Sequence, residues 1–434
     1  MITFQVKNNM GKNMGKNMGK NVRFVPALGL MLGLLLLSTA VITPRDSYAA
    51  EEKKNEKAPA PAIDAATGKI LTEAIDALNA EQYNVAAAAI AKLSMDKLSP
   101  YERGRVEQIL ATIADSQENY PSAQAHLQAA IDSGGLNEQE ISQARYQIAQ
   151  LYLAQEKWKE GAAAMEAWIS TATKPNSSAY YLLAVAYYQQ ELYKQALGPA
   201  QKAVDLAEKP QESWIQLVLA LHLQEEHWTG AVPLLVRLIN MHPDKKSYWV
   251  QLSSVYGQME KYPQALATMQ LAYDNGLIVD SGEILRLVDL LLFNNIPYRC
   301  GTVLEEAIAK KTVTIDTKVY QKQSDCWIAA REYEKAIGPL GKAAQMSSNG
   351  DLFVRLGEVQ VQRNEWSAAS DAISHGIDKG NLKDASYAQL MLGIALFNQK
   401  KLPQAAEWFQ KATSSSKQRK TAEGYLQLIK AQKS

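Results

Sequence analysis

The chain has 434 residues, 47% of them hydrophobic, with 6 Phe against 20 Tyr and 8 Trp, and a formal net charge of +1. That length fits two or three ordinary domains or one extended repeat array, and the recurrent Ala-rich windows with amphipathic aromatics favour closely packed helices. The balanced charge excludes the basic face that a nucleic-acid backbone requires, so no nucleic acid is expected among the partners.

Residues 1–49 read as an export signal. Lys7, Lys12, Lys16, Lys20 and Arg23 form a positive segment, and Val25 to Ile42 is uncharged and Leu-rich. Pro44 then breaks the run, and Ser47-Tyr48-Ala49 offers the small residues that a signal peptidase reads. Cleavage is expected after Ala49, which makes the mature chain an exported one. The alternative is an uncleaved anchor, since eighteen apolar residues reach the lower limit for spanning a bilayer; membrane contact is expected only through this segment. No Cys lies near the site, which argues against a lipid anchor. Asn-Met-Gly-Lys occurs three times between Asn9 and Lys20, with Met18 a second candidate start. Without residues 1–49, 40 basic and 44 acidic residues remain, a net of about −4. Residues 50–66 are charged and then Ala/Pro-rich, as befits a solvated spacer.

From residue 67 onward a bulky residue followed by an Ala-rich stretch returns at intervals of 33 to 38 residues, at Tyr83, Tyr120, Trp158, Tyr193, Trp228, Tyr262, Tyr298, Tyr333, Trp366 and Leu402. In the unit from Tyr248 to Gly276, Trp249, Leu252, Val255 and Tyr256 fall three and four apart, as one helix face requires. Gln258 to Lys261 make a turn, and Pro263 opens a second helix bearing Ala265, Met269 and Ala272. Pro121, Pro297 and Pro403 stand at or next to the same place, whereas Pro199 and Pro339 fall inside second helices and are expected to bend them.

These residues resemble the tetratricopeptide repeat, in which a bulky residue, Leu, a small residue and Tyr mark helix A, and Ala, an aromatic and Ala mark helix B. Trp249, Leu252, Tyr256, Tyr262, Ala265, Met269 and Ala272 fit that signature, as do Tyr180, Leu183, Ala184, Tyr187, Tyr193, Ala196 and Ala203, and Leu392, Gly393, Leu396, Ala405, Phe409 and Ala412. The resemblance implies an all-α, right-handed superhelical solenoid of about ten helix-turn-helix units over residues 67–413, closed by a capping helix near Lys417 to Lys430 within 414–434. It implies a protein or peptide partner, no enzyme activity and no cofactor. Leu290 to Ile308 (LLLFNNIPYRCGTVLEEAI) resembles the periplasmic tetratricopeptide proteins associated with TonB systems, which usually carry Ala where Cys300 stands. Together with the export signal, that likeness implies the periplasm of a Gram-negative bacterium, TonB or an outer-membrane transporter as partner and iron or haem uptake as the process. A scaffold for envelope or cell-wall assembly would have the same fold, and an enzyme with an unrecognised site is the reading of another class.

No catalytic constellation stands out. His222 and His227 are five apart, where HExxH needs four, and they coincide with a turn between helices, so no metal site is expected. Ser94 to Lys97 and Ser414 to Lys417 have the S-x-x-K spacing without its companion motifs. Cys300, early in a helix B, and Cys326, late in the next helix A, are either an inter-repeat disulfide or two buried thiols.

In this family helix A lines the concave side. The inward position is read as Tyr146, Tyr181, Ile215, Val250 and Leu285 in the third to seventh units, with Tyr188 and Leu219 adding to it, and Asp289, Asp325 and Glu358 forming an acidic stripe toward the C-terminal half. Such a surface suits a segment with apolar anchors and Lys or Arg, or a Pro-rich peptide. The alternative is that the tyrosines pack between helices and the acids form a solvated face.

Overall fold

The computed structural model describes residues 63–432, and every regular element among them is helical, with 21 α-helices and one short 3-10 turn. The expected export segment and residues 50–62 of the spacer lie outside the described residues. No described helix is long and apolar enough to cross a membrane.

The chain divides into two compact units at residues 234/235. The N-terminal unit holds α1 (Ala65–Asn79), α2 (Tyr83–Ile90), α3 (Pro100–Ser116), α4 (Tyr120–Asp132), α5 (Glu138–Ala154), α6 (Trp158–Thr171), α7 (Ser177–Gln189), α8 (Tyr193–Leu206) and α9 (Glu212–Gln224), and the division falls within α10 (Trp228–Met241). The C-terminal unit continues with α11 (Lys246–Gln258), α12 (Tyr262–Asp274), α13 (Ser281–Phe293), α14 (Pro297–Ala309), α15 (Thr317–Ala329), α16 (Tyr333–Met346), α17 (Asp351–Gln362), α18 (Trp366–Lys379), α19 (Ala385–Asn398), α20 (Leu402–Ala412) and α21 (Arg419–Ala431). Up to α20, odd-numbered helices are the A members and even-numbered helices the B members of successive pairs. Nine of the ten marker residues read from the sequence begin a B helix; the tenth, Tyr298, is the second residue of α14.

One local device sets the period. Two residues beyond the end of each A helix stands a residue with positive φ: Glu81, Glu118, Glu156, Glu191 and Glu226 in the first unit, and Glu260, Asn295, Arg331, Asn364 and Lys400 in the second, all with φ between 53° and 64°. The Glu191 N–H donates to the Tyr188 carbonyl and the Leu192 N–H to that of Tyr187, with the same pattern at Glu260 and Asn364. The left-handed turn therefore satisfies the last carbonyls of helix A while reversing the chain. Helix starts are fixed by side chains: Asp64, Ser99, Asn137, Asn176, Asp316 and Asp384 each accept an N–H of the first turn of an A helix. Asp64, read as spacer, is thus the first cap of the array.

Seven residues before each left-handed turn the pairs meet closely, and the side chain there is small in most units: Ala149, Ala184, Ser253, Ser324, Gly357 and Gly393. A Cβ on Gly393 would stand 2.7 Å from the buried Phe409 ring, and one on Gly357 2.3 Å from Ile373. The core of the C-terminal unit includes Leu287, Val288, Leu291, Cys300, Val303, Leu304 and Cys326, all buried; full burial of a Leu or Val contributes about 1.5–3 kcal/mol. Its last pair is covered by α21, where Tyr425 stacks on Phe409 at 4.7 Å and Ala422 and Ile429 join the core. Pro199 and Pro339 lie inside α8 and α16, which continue through them, as α10 does through Pro233.

Candidate functional site

The left-handed turns give an exact ruler for the A-helix face, because equal distances from them are equivalent positions. Ten residues before the turn stand Tyr146, Tyr181 and Gln216 in the N-terminal unit, and Val250, Leu285, Gln321, Val354 and Leu390 in the C-terminal unit. Ile215 is therefore one residue out of register, and it is fully buried. Leu219 occupies the close-contact position that small residues fill elsewhere and is 4% exposed. Both belong to the packing between helices and offer a partner no surface; the inward positions of that helix are Gln216 and Leu223.

In the N-terminal unit the inward tyrosines are half-buried and held by the next layer. The Tyr146 ring lies 4.5 Å from Trp168 and its hydroxyl is hydrogen-bonded to Asn176, the cap of the following A helix. Tyr181 stacks on Trp214 at 5.2 Å, and its hydroxyl is hydrogen-bonded to Ser213. Tyr188 meets the edge of Tyr193 at 5.5 Å. Burial pushes all three phenols above their ordinary range. Beside them Tyr187 donates to Glu166, and burial with that carboxylate pushes it up to about 12. These phenols stay neutral at any physiological pH and present fixed aromatic surface with a polar edge.

In the C-terminal unit Val250 and Leu285 are half-buried at the inward position, whereas Val354 and Leu390 are buried. Asp289, Asp325 and Glu358 do stand on this face, but they form no free acidic stripe. Asp289 is paired with Lys322 of the next A helix, Asp325 with Arg355, and Glu358 is hydrogen-bonded to Tyr387. Burial raises the Asp325 carboxyl, against the lowering pull of Arg355 and Lys322, and raises that of Glu358, against Tyr387 and Arg355. Tyr387, buried beside that acid, is pushed up to about 12. A partner's Lys or Arg would have to displace Lys322 from Asp289, Arg355 from Asp325 or the Tyr387 hydroxyl from Glu358. The signal for these cations is in the sequence: a base precedes each acid by three residues at Arg286, Lys322 and Arg355, and Lys246 likewise reaches Asp280 and Glu283 of the next A helix.

Cys300 of α14 and Cys326 of α15 form a disulfide, with Cα atoms 5.6 Å apart and both residues fully buried. His222 ends up beside His227 at 5.3 Å between ring centres, with burial and then His227 lowering its pKa. Among the described residues no three His, Cys, Asp or Glu side chains converge as a metal site would need.

A tetratricopeptide-repeat family model matches residues 110–178, 146–213 and 354–419. Among solved structures, the chain is similar to YrrB, described as a tetratricopeptide protein with an unusual peptide-binding site, at 20% identity, covering 43% of this chain and 90% of that one, with a TM-score of 0.34. It is also similar to MamA from Desulfovibrio magneticus RS-1, at 16% identity, 42% and 99% coverage and a TM-score of 0.36. A third is PilW, described as a widely conserved type IV pilus biogenesis factor, at 11% identity, 49% and 99% coverage and a TM-score of 0.32. No curated protein matches the chain. The segments that the family model matches, residues 110–213 and 354–419, have the helix pairs of tetratricopeptide repeats, and the same left-handed turn and close contact recur in the all-α helix pairs outside them.

Proposed function

We propose that the chain is an exported scaffold that holds an extended segment of another protein against the A-helix face of its repeats. The observation that carries this reading is the row of half-buried tyrosines Tyr146, Tyr181 and Tyr188 in the N-terminal unit, each in contact with a neighbouring aromatic ring. Rigid aromatic surface whose rings and hydroxyls are already positioned loses little entropy on binding and suits apolar or Pro-rich side chains. Export to the periplasm rests on the positive and apolar residues of 1–49.

The finer reading is an accessory of a TonB-dependent uptake system, with TonB or an outer-membrane transporter as partner; it rests on the likeness of Leu290 to Ile308 to that group. A scaffold for envelope assembly is the competing assignment. Capture from solubilised envelopes, comparing the wild type with Tyr181→Ala and Tyr188→Ala, separates the two. TonB or a transporter retained by the wild type and lost with the variants supports uptake. Loss of an assembly factor instead supports the competitor, and a retained set identical in all three proteins contradicts the tyrosine surface.

A further inference from the structure

Three successive A helices of the C-terminal unit carry a base followed three residues later by an acid: Arg286 and Asp289 in α13, Lys322 and Asp325 in α15, Arg355 and Glu358 in α17. The pairs interlock across neighbouring helices, each acid holding the base of the next: Asp289 holds Lys322, and Asp325 holds Arg355. In the same register Arg286 should meet an acid at position 254 of α11. That residue is Ser254, and its hydroxyl donates to the Val250 carbonyl at 2.7 Å. At the far end Glu358 should meet a base at position 391; finding Met391, it bonds Tyr387 instead.

Arg286 is left over. Among the described residues it makes no hydrogen bond and no ion pair. Glu283, one turn earlier on its own helix, attracts it, but that carboxylate is 3.2 Å from the Lys246 ammonium. The guanidinium is half-buried, so it carries the desolvation cost that a paired carboxylate would offset. Half-buried Val250 and Leu285 lie on the same face at the adjoining inward positions.

We propose that Arg286 anchors an acidic side chain of an extended peptide partner, whose carboxylate takes the ladder position that α11 leaves to Ser254. A guanidinium grips a carboxylate with two parallel N–H donors, which fixes both position and direction. The flanking Val250 and Leu285 select apolar neighbours for that Glu or Asp. This assignment rests on the reading of the chain as a peptide-holding scaffold.

The probe is amidated Gly-Leu-Pro-Glu-Leu-Gly with fluorescein on its N-terminal amine, followed by anisotropy with the full chain; its relatives carry Gln for Glu, with the C-terminus either amidated or free. The amidated Glu peptide is expected to bind about tenfold more tightly than its Gln relative, the scale of one charge-assisted contact. Arg286→Gln should abolish that difference. Ser254→Asp should abolish it too while leaving Arg286 in place, because an internal carboxylate then fills the position, and its urea midpoint should not fall below that of the wild type. Met391→Lys, which completes the ladder at its other end, should leave the difference intact. Equal affinity for Glu and Gln peptides, no measurable binding of the Glu probe, or an undiminished preference in either Arg286→Gln or Ser254→Asp overturns the proposal. A free-terminus Gln peptide that binds as tightly as the Glu peptide overturns the assignment to a side chain. Capture lost with Tyr188→Ala but insensitive to Arg286→Gln would leave the scaffold reading standing and remove only this one.

Discussion

The Lys322 ammonium of α15 lies against the Asp289 carboxylate of α13, so two A helices of neighbouring repeats are tied by charge on the face where a partner would sit. Three residues along the same helix Asp325 repeats the arrangement with Arg355. The side chains are only partly accessible, and solvent still screens them. A double-mutant cycle with Asp289→Asn and Lys322→Met should give a coupling of roughly 1 kcal/mol, at the upper end for accessible pairs. Urea unfolding measures it, and a coupling indistinguishable from zero would show the pair to be ornamental.

The ladder also predicts a sign for pH dependence. Burial holds the Asp325 and Glu358 carboxyls above their unfolded values, so the folded state binds more protons than the unfolded state in the window between them. Their contribution to stability is then fully present below the unfolded values and declines as pH rises through the native ones. The double variant Asp325→Asn with Glu358→Gln lacks that decline. Its stability relative to the wild type should improve between pH 4 and pH 7 in urea unfolding. A relative stability that worsens over that interval would mean that Arg355 and Lys322, rather than burial, set these carboxyls.

The glycines give a matched pair of predictions. A methyl on Gly393 meets the fully buried Phe409 ring at 2.7 Å, whereas one on Gly424, exposed in α21, meets nothing within 4 Å. Gly393→Ala should cost about 1–3 kcal/mol through overpacking. Gly424→Ala should stabilise by about 0.5–1 kcal/mol, since alanine is the better helix former and restricts the unfolded chain. Chemical denaturation of the two proteins checks both signs.

The Cys300–Cys326 bond spans 26 residues and joins two helices already packed together. A bridge of that span stabilises by roughly 3 kcal/mol in the chain-entropy account. Replacing both cysteines with Ala should lower the urea midpoint accordingly, and thiol labelling of denatured, unreduced protein should find no reactive cysteine. Two labelled thiols would contradict the bond.

The fold was legible because the repeat writes itself into the sequence ten times, and a bulky residue stands at the first or second position of each B helix whatever else varies. The register of the A-helix face was less legible. Its structural marker is the left-handed residue before helix B, and that place is held by Glu, Asn, Arg or Lys rather than a revealing Gly. In α9 the run Trp214 to Leu221 is apolar on nearly every side, and Leu219 fills a place where other repeats carry a small residue, so Ile215 and Leu219 were misplaced by the pattern alone. The acids at Asp289, Asp325 and Glu358 read as a charged stripe in the sequence, but each has a partner within the fold. The bases of Asp289 and Asp325, and the Tyr387 that bonds Glu358, lie on neighbouring helices about a repeat away in sequence, and only the packing of those helices brings them together.

The central claim, that the A-helix face is the one that holds a partner, is tested most directly by photo-crosslinking in cells of the source organism. A benzophenone amino acid is placed at Tyr188 or at Gln216 on that face, and at exposed Leu206 or Leu271 on B helices. The account predicts a discrete adduct with the same protein from both A-face positions and none from the B-helix positions. Adducts that form from Leu206 and Leu271 but not from Tyr188 or Gln216 would contradict it.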